Sequence, residues 1–424
     1  MNRYRYDLNH QSHMVGKTGR LMCHGLIPVV GGDSIKIRWD GAIRLSPLAR
    51  YMTTDAKCDL FAFYTPFRHI YGDDWIEFIK EGTQEAVAFP SSVPVGSGCA
   101  YLGTPLLTQP FPRWVNASYN RIWNRYFRIP TDDASIMSDA LVLSTNEDRI
   151  YGKLCARLPA IWTTGVDQEY QTSDRQVTVT GGAFDIIDLA QVRRLWKTEV
   201  DRQWFGQYYN DVMEQVFGTQ VNTDADERPT LLARETGFLS GYDVDGTGDA
   251  NLGTFSGKSI TRMMLDVPRK FCPEHGVISL MSLVRFPVIA QDEYHYLITK
   301  PNPTYVEISG DPDLWQAQPP ENFLTEDFFT QGGPTSLGLI PYGQWYRQQP
   351  SVVHSSFTQN QNFAFFNGVP NTIDVARYCQ AFEYDNVFQT NAYGHWQHHS
   401  AINVEKSTKV PGPKSSMYAG VNDV

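Results

Sequence analysis

Residues 33–40 read DSIKIRWD. Ile35, Ile37 and Trp39 alternate with Lys36, Arg38 and Asp40, and a period of two sends successive side chains to opposite faces of an extended chain. One face is apolar and the other charged, which predicts a half-buried strand. The same period recurs on either side. Cys58 to Tyr64 sets Phe61 and Phe63 against Leu60 and Tyr64. Val277 to Phe286 sets Ile278, Leu280, Val284 and Phe286 against Val277, Met281 and Leu283, with Arg285 at the end. Shorter versions run Val177 to Thr180, Tyr294 to Ile298 and Ile402 to Val404. Pro and Gly clusters separate these runs, and no strand-helix-strand rhythm is visible. An antiparallel sandwich is expected rather than a doubly wound sheet.

Composition agrees. The chain has 424 residues, 33 of them Gly and 25 Pro, with 13% aromatic and only 19% charged residues, more punctuation and less charge than a helical protein carries. A chain of this size buries about three quarters of its unfolded surface, so it needs neither metals nor disulfides to build a core. Cys23, Cys58, Cys99, Cys155, Cys272 and Cys379 form no CxxC pair, and reduced cytoplasmic thiols are expected. No apolar run is long enough to span a bilayer, and the first thirty residues lack the hydrophobic stretch of a signal peptide. Neither secretion nor a membrane partner is expected. The net charge of −10 makes the whole chain a poor binder of polyanions.

Helices read as insertions. Asp73 can cap a short helix through Trp75, Phe78 and Ile79 that stops at Gly82, and a longer one is expected from Asp185 to Phe217, ended by Gly218. Its paired apolar residues, from Trp204/Phe205 to Val216/Phe217, make one broad core-facing stripe, interrupted by Gly206. From Pro287 onward the chain is loop-rich, with PNP at 301–303, DPD at 311–313, QPPEN at 318–322 and QGGP at 331–334. Loops this long are normally functional or held by a partner. No repeat or composition shift divides the chain, so residues 1–424 are read as a single domain with extended N- and C-terminal arms.

Four local motifs carry candidate chemistry. Asp243-Val-Asp245-Gly-Thr247 matches the DxDGT loop of Mg-dependent phosphatases, in which the first Asp attacks phosphorus and the second acts as acid and base. That loop needs a buried parallel strand before it, and Phe238-Leu-Ser-Gly-Tyr242 is too short and broken for one. Extended through Asp249 and Asn251, the same segment resembles a calcium loop and leaves room for a structural divalent cation, but it lacks the closing Glu of an EF-hand, and a plain Asp/Gly turn is the simpler reading. His395, His398 and His399 in GHWQHHS could share a metal on a helix; their flanks look extended, which favours surface histidines. Pro273-Glu-His-Gly276 reads as a turn or a hydrogen-bonded pair, with no GxSxG, Walker loop or GxGxxG elsewhere. Finally, Arg3, Arg5, Lys17 and Arg20 are interleaved with Tyr4, Tyr6 and His13 against one acid, Asp7. Cations that track phosphates and rings that stack on bases suit single-stranded nucleic acid, while a mobile, solvated terminus is the competing reading.

Read together, many segments resemble the major capsid protein family of Microviridae, small icosahedral phages with circular single-stranded DNA. They include PVVGGDS at 28–34, GAIRLSPL at 41–48, FYTPFRHIYGDDWIEFIKEG at 63–82, IWNRYF at 122–127, DERPTLL at 226–232, SGYDVDGT at 240–247, LGTFSG at 252–257, GDPDLW at 310–315 and GQWYR at 343–347. The resemblance covers most of residues 15–350 in order and thins beyond. It implies an all-β protein with helical insertions, an eight-stranded antiparallel jelly roll with long loops, assembling through pentamers into a sixty-copy T = 1 virion shell around the genome. It implies no enzyme activity and no cofactor. The implied partners are copies of the chain, single-stranded DNA, a small basic DNA-packaging protein, and scaffolding, pilot and spike proteins, with assembly in the bacterial cytoplasm. Trp75, Trp123, Trp315 and Trp345 are then candidate anchors at subunit interfaces, against the alternative that each fills its own core. Arg3, Arg5, Lys17 and Arg20 are candidates for the genome-facing surface. A closed shell would carry roughly −600, so a basic packaging protein and cations are needed beside the DNA. Two other classes stay open: the DxDGT phosphatase, and a carbohydrate-binding sandwich suggested by 22 Tyr and 10 Trp.

Overall fold

The computed structural model describes residues 3–48, 55–72, 74–75, 91–92, 111–127, 228–245, 255–285, 289–290, 294–318, 321–327, 336–340, 342–347, 349, 366–367, 388 and 394–410. The expected strand at 177–180, the expected helix at 185–217, Phe286, Cys99, Cys155, Cys379 and the C-terminal arm from 411 lie outside these residues. So does the expected helix after Asp73, apart from Asp74 and Trp75, which are helical.

The strands of the two large sheets are β1 (Tyr4–Asp7), β2 (His10–Gly16), β3 (Leu21–Val29), β4 (Asp33–Leu48), β5 (Ala56–Pro66), β6 (Thr230–Leu239), β7 (Gly241–Asp245), β8 (Phe255–Cys272), β9 (Gly276–Arg285) and β10 (Trp396–Thr408). One sheet has six strands, with β1 and β2 both on β10, then β4, β8 and β7; the other has four, in the order β3-β9-β5-β6. Every pair in both is antiparallel. Apart from β1 to β2, β5 to β6 and β7 to β8, successive strands switch sheets. The quartets β2-β10-β4-β8 and β3-β9-β5-β6 are the two halves of an eight-stranded jelly roll, the fold the resemblance implies.

β1 and β2 correct one expectation: residues 4–16 are not an extended arm. Their pairing with β10 runs in unbroken register from Tyr4 opposite Thr408 to Gly16 opposite Trp396, and Leu8 N donates to Val404 O across the short gap between them, 2.8 Å. Alternation explains the core. Ile35, Ile37, Trp39 and Ile43 on β4, Met263, Leu265 and Val267 on β8, and Trp396, Ile402 and Val404 on β10 are all buried. The His24 ring of β3 lies 4.9 Å from Trp39, and Met263 of β8 closes on Gly237 of β6, so side chains of the two sheets interdigitate. Each buried Trp removes roughly 200 Å² from water, about 5 kcal/mol before ordering costs.

In the four-stranded sheet β5 and β9 are buried on both faces, while edge strand β6 stays largely accessible. All ten residues of β9 are buried, where the sequence pattern predicted only two opposed apolar sets. The cover is helix α2 (Arg113–Tyr126), packed behind the sheet and against the short α1 (Phe67–Tyr71). Val115, Tyr119, Ile122 and Trp123 recur at helical spacing and are all buried. Phe127 meets Phe61 edge-on at 5.4 Å, Tyr126 meets Phe63 at 4.8 Å, and the Tyr119 hydroxyl donates to Leu21 O at 2.7 Å. Within this sheet Asp59 is fully buried, accepting from Arg285 Nε at 2.8 Å, Arg234 Nη2 at 2.9 Å and the Thr236 hydroxyl at 2.5 Å.

Among the described residues between β9 and β10 are three short α-helices, α3 (Tyr296–Thr299), α4 (Tyr305–Ser309) and α5 (Pro312–Ala317). The strand expected at Tyr294–Ile298 is thus one helical turn. His295 caps it by accepting from Leu297 N at 3.3 Å, and Tyr296 is buried with its hydroxyl donating to Glu307 at 2.8 Å. Thr304 and Glu307 form a reciprocal capping box on α4. Burial pushes the Glu307 carboxyl up, but hydrogen bonds from Lys300, Thr304 and Tyr296 outweigh it and hold the group at about 2. Cys23, Cys58 and Cys272 are buried free thiols; burial pushes Cys23 up to about 12 and Cys272 to about 11.

Candidate nucleic-acid interface and assembly surfaces

The outer face of the six-stranded sheet has no helix behind it among the described residues. Register arranges its side chains in rows across the strands. Arg44 lies opposite Gln397 and next to Ile260; Arg262 lies opposite Ala42, Asp266 opposite Arg38, and Lys36 opposite Glu405. With Arg3, Arg5 and Arg269, cations outnumber the acids Asp7, Asp40, Asp266 and Glu405 by seven to four among the described side chains of this face, on a chain whose net charge is −10. Glu405 takes Arg5 at 2.8 Å and Arg269 at 3.1 Å. Asp40 accepts from Arg262 Nε at 2.9 Å, which holds its carboxyl below the ordinary range. Lys36, Arg38 and Arg44 are exposed and have no salt bridge among the described residues. Phe271 is 51% exposed with the Arg3 guanidinium 5.8 Å above its ring, a cation and a flat ring placed together.

Of the four basic residues picked from the sequence, the structure keeps two together. Arg3 and Arg5 join this face. Lys17 and Arg20 sit in the β2–β3 turn beyond Gly16, where Gly19 takes φ of 81°. Roughly 36 Å of strand separates Gly16 from Arg5, so the four make no single patch. Lys36, Arg38, Arg44, Arg262 and Arg269 were missed. The signal was present in the alternation of residues 35–40, whose charged half was read only as solvent-facing.

The histidine segment GHWQHHS lies on β10 and its entry, and strand alternation corrects the surface reading for two of its three histidines. His395 and His398 are 0% exposed, while His399 points outward. His395 Nδ1 accepts from Thr18 N at 3.1 Å and its ring stacks on Phe388. Burial pushes His398 down to about 4 and His24, 4.8 Å away, well below the ordinary imidazole range. His24 shares a 2.7 Å hydrogen bond with Ser282 of β9. A Cβ at Gly41 would stand 2.5 Å from His398 Nε2, which is why the chain has no side chain there.

The four tryptophans separate in the same way. Trp123 is 0% and Trp345 2% exposed; both fill this chain's own interior, and that corrects their assignment as anchors. α2 presses Trp123 into the core, and Trp345 packs against Tyr296 with ring centroids 5.1 Å apart and planes tilted by 35°. Trp75, half-buried against Phe67 and His275, and Trp315, half-buried against Trp345 and Tyr346, keep part of their surface. Around Trp315 the insertion exposes Ile298, Tyr305, Ile308 and Tyr346, each more than 60% accessible, an apolar surface that the tryptophans alone do not mark.

The remaining motifs are structural. Asp243 and Asp245 lie on β7, an antiparallel edge strand with Asp245 opposite Phe255, not at the end of the parallel strand a DxDGT phosphatase requires. Glu274 accepts from Arg68 Nε at 3.0 Å and Nη2 at 3.1 Å, tying the β8–β9 turn to α1. Among the described residues no three His, Cys, Asp or Glu side chains are grouped to hold a metal. Asp249 and Asn251 of the calcium-loop reading lie outside them.

Comparison with known proteins gives these surfaces their context. The family model described as capsid protein (F protein) matches residues 1–184 and 180–417. Capsid protein F of Escherichia phage G4 is 37% identical over 420 residues, 98% of this chain and 97% of that protein. Those of Enterobacteria phage phiK and Escherichia phage alpha3 are each 34% identical, over 97% of this chain and 96% of theirs. Neither the phosphatase nor the sugar-binding reading gains support from these relatives. A jelly roll related from end to end to three phage shell proteins identifies the chain as a member of the capsid F-protein family of Microviridae, a structural protein that assembles into a capsid.

Proposed function

We propose that this chain is the unit of a sixty-copy T = 1 icosahedral shell, formed through pentamers around a circular single-stranded DNA genome, with the outer face of its six-stranded sheet turned toward the nucleic acid. The observation that carries the orientation is the charge of that face: cations outnumber acids on one sheet of an acidic chain, and Lys36, Arg38 and Arg44 hold no salt-bridge partner among the described residues. Phosphates are the polyanion a virion supplies, and exposed Phe271 offers a ring for a base. The apolar insertion around Trp315, together with Trp75, is the surface for neighbouring copies. The chain acts as a single domain without catalysis. A small basic packaging protein and cations complete the charge balance, scaffolding, pilot and spike proteins act with it, and assembly takes place in the host cytoplasm.

Negative-stain electron microscopy of the chain co-expressed with its neighbouring phage proteins tests the assembly: uniform small icosahedra and pentamers are expected, and a chain that stays monomeric overturns it. Replacing Lys36, Arg38 and Arg44 by Gln tests the orientation. Particles should still close and should retain less DNA; unchanged DNA content removes this face from the genome contact.

A further inference from the structure

We propose that His13 and His399 form a two-histidine site for a borderline transition-metal ion of the zinc, nickel or copper type, pinning edge strand β2 to β10. His13 lies directly opposite His399 in the β2–β10 ladder, and opposed residues of an antiparallel pair hold their Cβ atoms about 4.5–5.5 Å apart. Both side chains are exposed. Their Nδ1 atoms converge to 3.0 Å, with ring centroids 5.2 Å apart and planes tilted by 56°. Two metal–nitrogen bonds of about 2.0–2.1 Å, meeting at about 90–110°, separate their nitrogens by about 2.9–3.4 Å. The observed separation falls inside that range, and open solvent on the outer side leaves room for water ligands.

The surroundings choose the class of ion. Within the β2–β10 ladder the row ahead holds Val15 and Gln397 and the row behind holds Gln11 and Ala401. Ala42 lies on the other side of His399, and beyond it Arg262 is committed to Asp40. No carboxylate stands in these positions, so calcium and magnesium, which require several hard oxygens, are disfavoured, whereas imidazole suits zinc, nickel and copper. With no ion bound, one Nδ1–H donates to the other Nδ1, a proton taking the bridging position. Binding therefore requires both rings as Nε2–H tautomers: the donor ring gives its Nδ1 proton to solvent and takes one at Nε2, which leaves both Nδ1 lone pairs free for the ion and both imidazoles neutral.

The site also differs from the neighbouring histidines. His398, on the inner side of β10, is buried and packs against Trp39 and His24. His10, exposed on the same strand as His13, lies opposite Ile402 and turns its Nδ1 toward Leu8 O at 3.0 Å, so it provides an internal control.

The experiment is calorimetric titration of the full-length, chelator-treated chain with zinc chloride, alongside visible absorption with cobalt(II). The expected result is one ion per chain, at least tenfold weaker in His13→Gln and in His399→Gln and unchanged in His10→Gln, with all three variants keeping the melting temperature of the metal-free parent. Zinc should raise that temperature in the parent and in His10→Gln only. Equal affinity in all four chains, or no binding by the parent at millimolar zinc, overturns the site and leaves a proton-bridged pair.

Discussion

The two sheets of the sandwich share pairing and a common core, yet they treat their outer faces in opposite ways. Behind the four-stranded sheet the α2 segment is pressed against Phe61 and Phe63, and even a charged group, Asp59, is held inside by two arginines. The six-stranded sheet keeps its alternation along most of β4 and β10, with Trp39 and Trp396 inward and Arg38 and Gln397 outward. A strand buried on both faces loses its polar half, because a polar side chain without a partner is costly there. A strand that keeps its polar half is telling the reader that its outer face meets water or a polar partner. The difference is one of assignment: one sheet stabilises the subunit, and the other is left available for contact.

The comparison can be broken first on its covered side. Phe63→Ala should lower unfolding free energy by about 3–5 kcal/mol, read as a urea midpoint of the unassembled chain, whereas Met264→Ala on the bare face should change it by about 0.5 kcal/mol or less. Equal effects would mean that the two outer faces are not different. The charged pairs should divide in the same way. Asp59→Ala strands two arginines in the covered sheet and should cost about 3–5 kcal/mol; Asp40→Ala loses only a solvent-exposed partner, Arg262, and should cost about 1 kcal/mol or less.

A smaller effect comes from the seam between the sheets. His24 is held neutral by burial, with His398 adding to the shift. Below about pH 6.5 the unfolded chain takes up a proton that the folded chain refuses, so stability is full above that value and falls as the pH drops, by up to about 1.4 kcal/mol per unit for each such histidine. His24→Gln should flatten the decline between pH 6.5 and 5 in thermal melts, and an unaltered slope would place the acid sensitivity elsewhere. The smallest change in stability, about 0.5 kcal/mol or less, is expected for the Lys36, Arg38, Arg44 triple Gln variant. Its signature is in binding: the slope of log affinity for single-stranded DNA against log salt should fall by about 2, in keeping with about 0.7 per phosphate contact.

What could be read from the chain follows the same division. The strand at 35–40 was legible because one of its faces remains polar. Val277–Arg285 was legible as apolar, but nothing local announced that both faces would be covered, since the cover comes from residues 113–126. That helix was itself missed: Asn116, Ser118 and Asn120 are buried in it and dilute the apolar stripe of Val115, Tyr119, Ile122 and Trp123. Tyr294–Ile298 alternates like a strand, yet His295 and Glu307 supply the local hydrogen bonds that make a helical turn cheaper than an unpaired strand. For the candidate site, basic residues were sought where they are dense in sequence, at 3–20, while the face that gathers them draws on β1, β4 and β8. Histidine gave the same lesson: the pair that converges, His13 and His399, is separated by 386 residues.

That separation has a kinetic meaning. The β1–β2 edge hydrogen-bonds only to β10 within its sheet, so the earliest strands of the described chain have no ladder partner until residues 396–408 exist. Pairings so remote in sequence pay loop-closure entropy late and fold slowly. During synthesis, both edge strand β1–β2 and the inner strand β4 wait for the same thirteen residues. Until they arrive, β1 and β2 stay apart from β4, and the outer face bearing Lys36, Arg38 and Arg44 is not a continuous surface. Strand order alone thus ties completion of the six-stranded sheet to translation past residue 408.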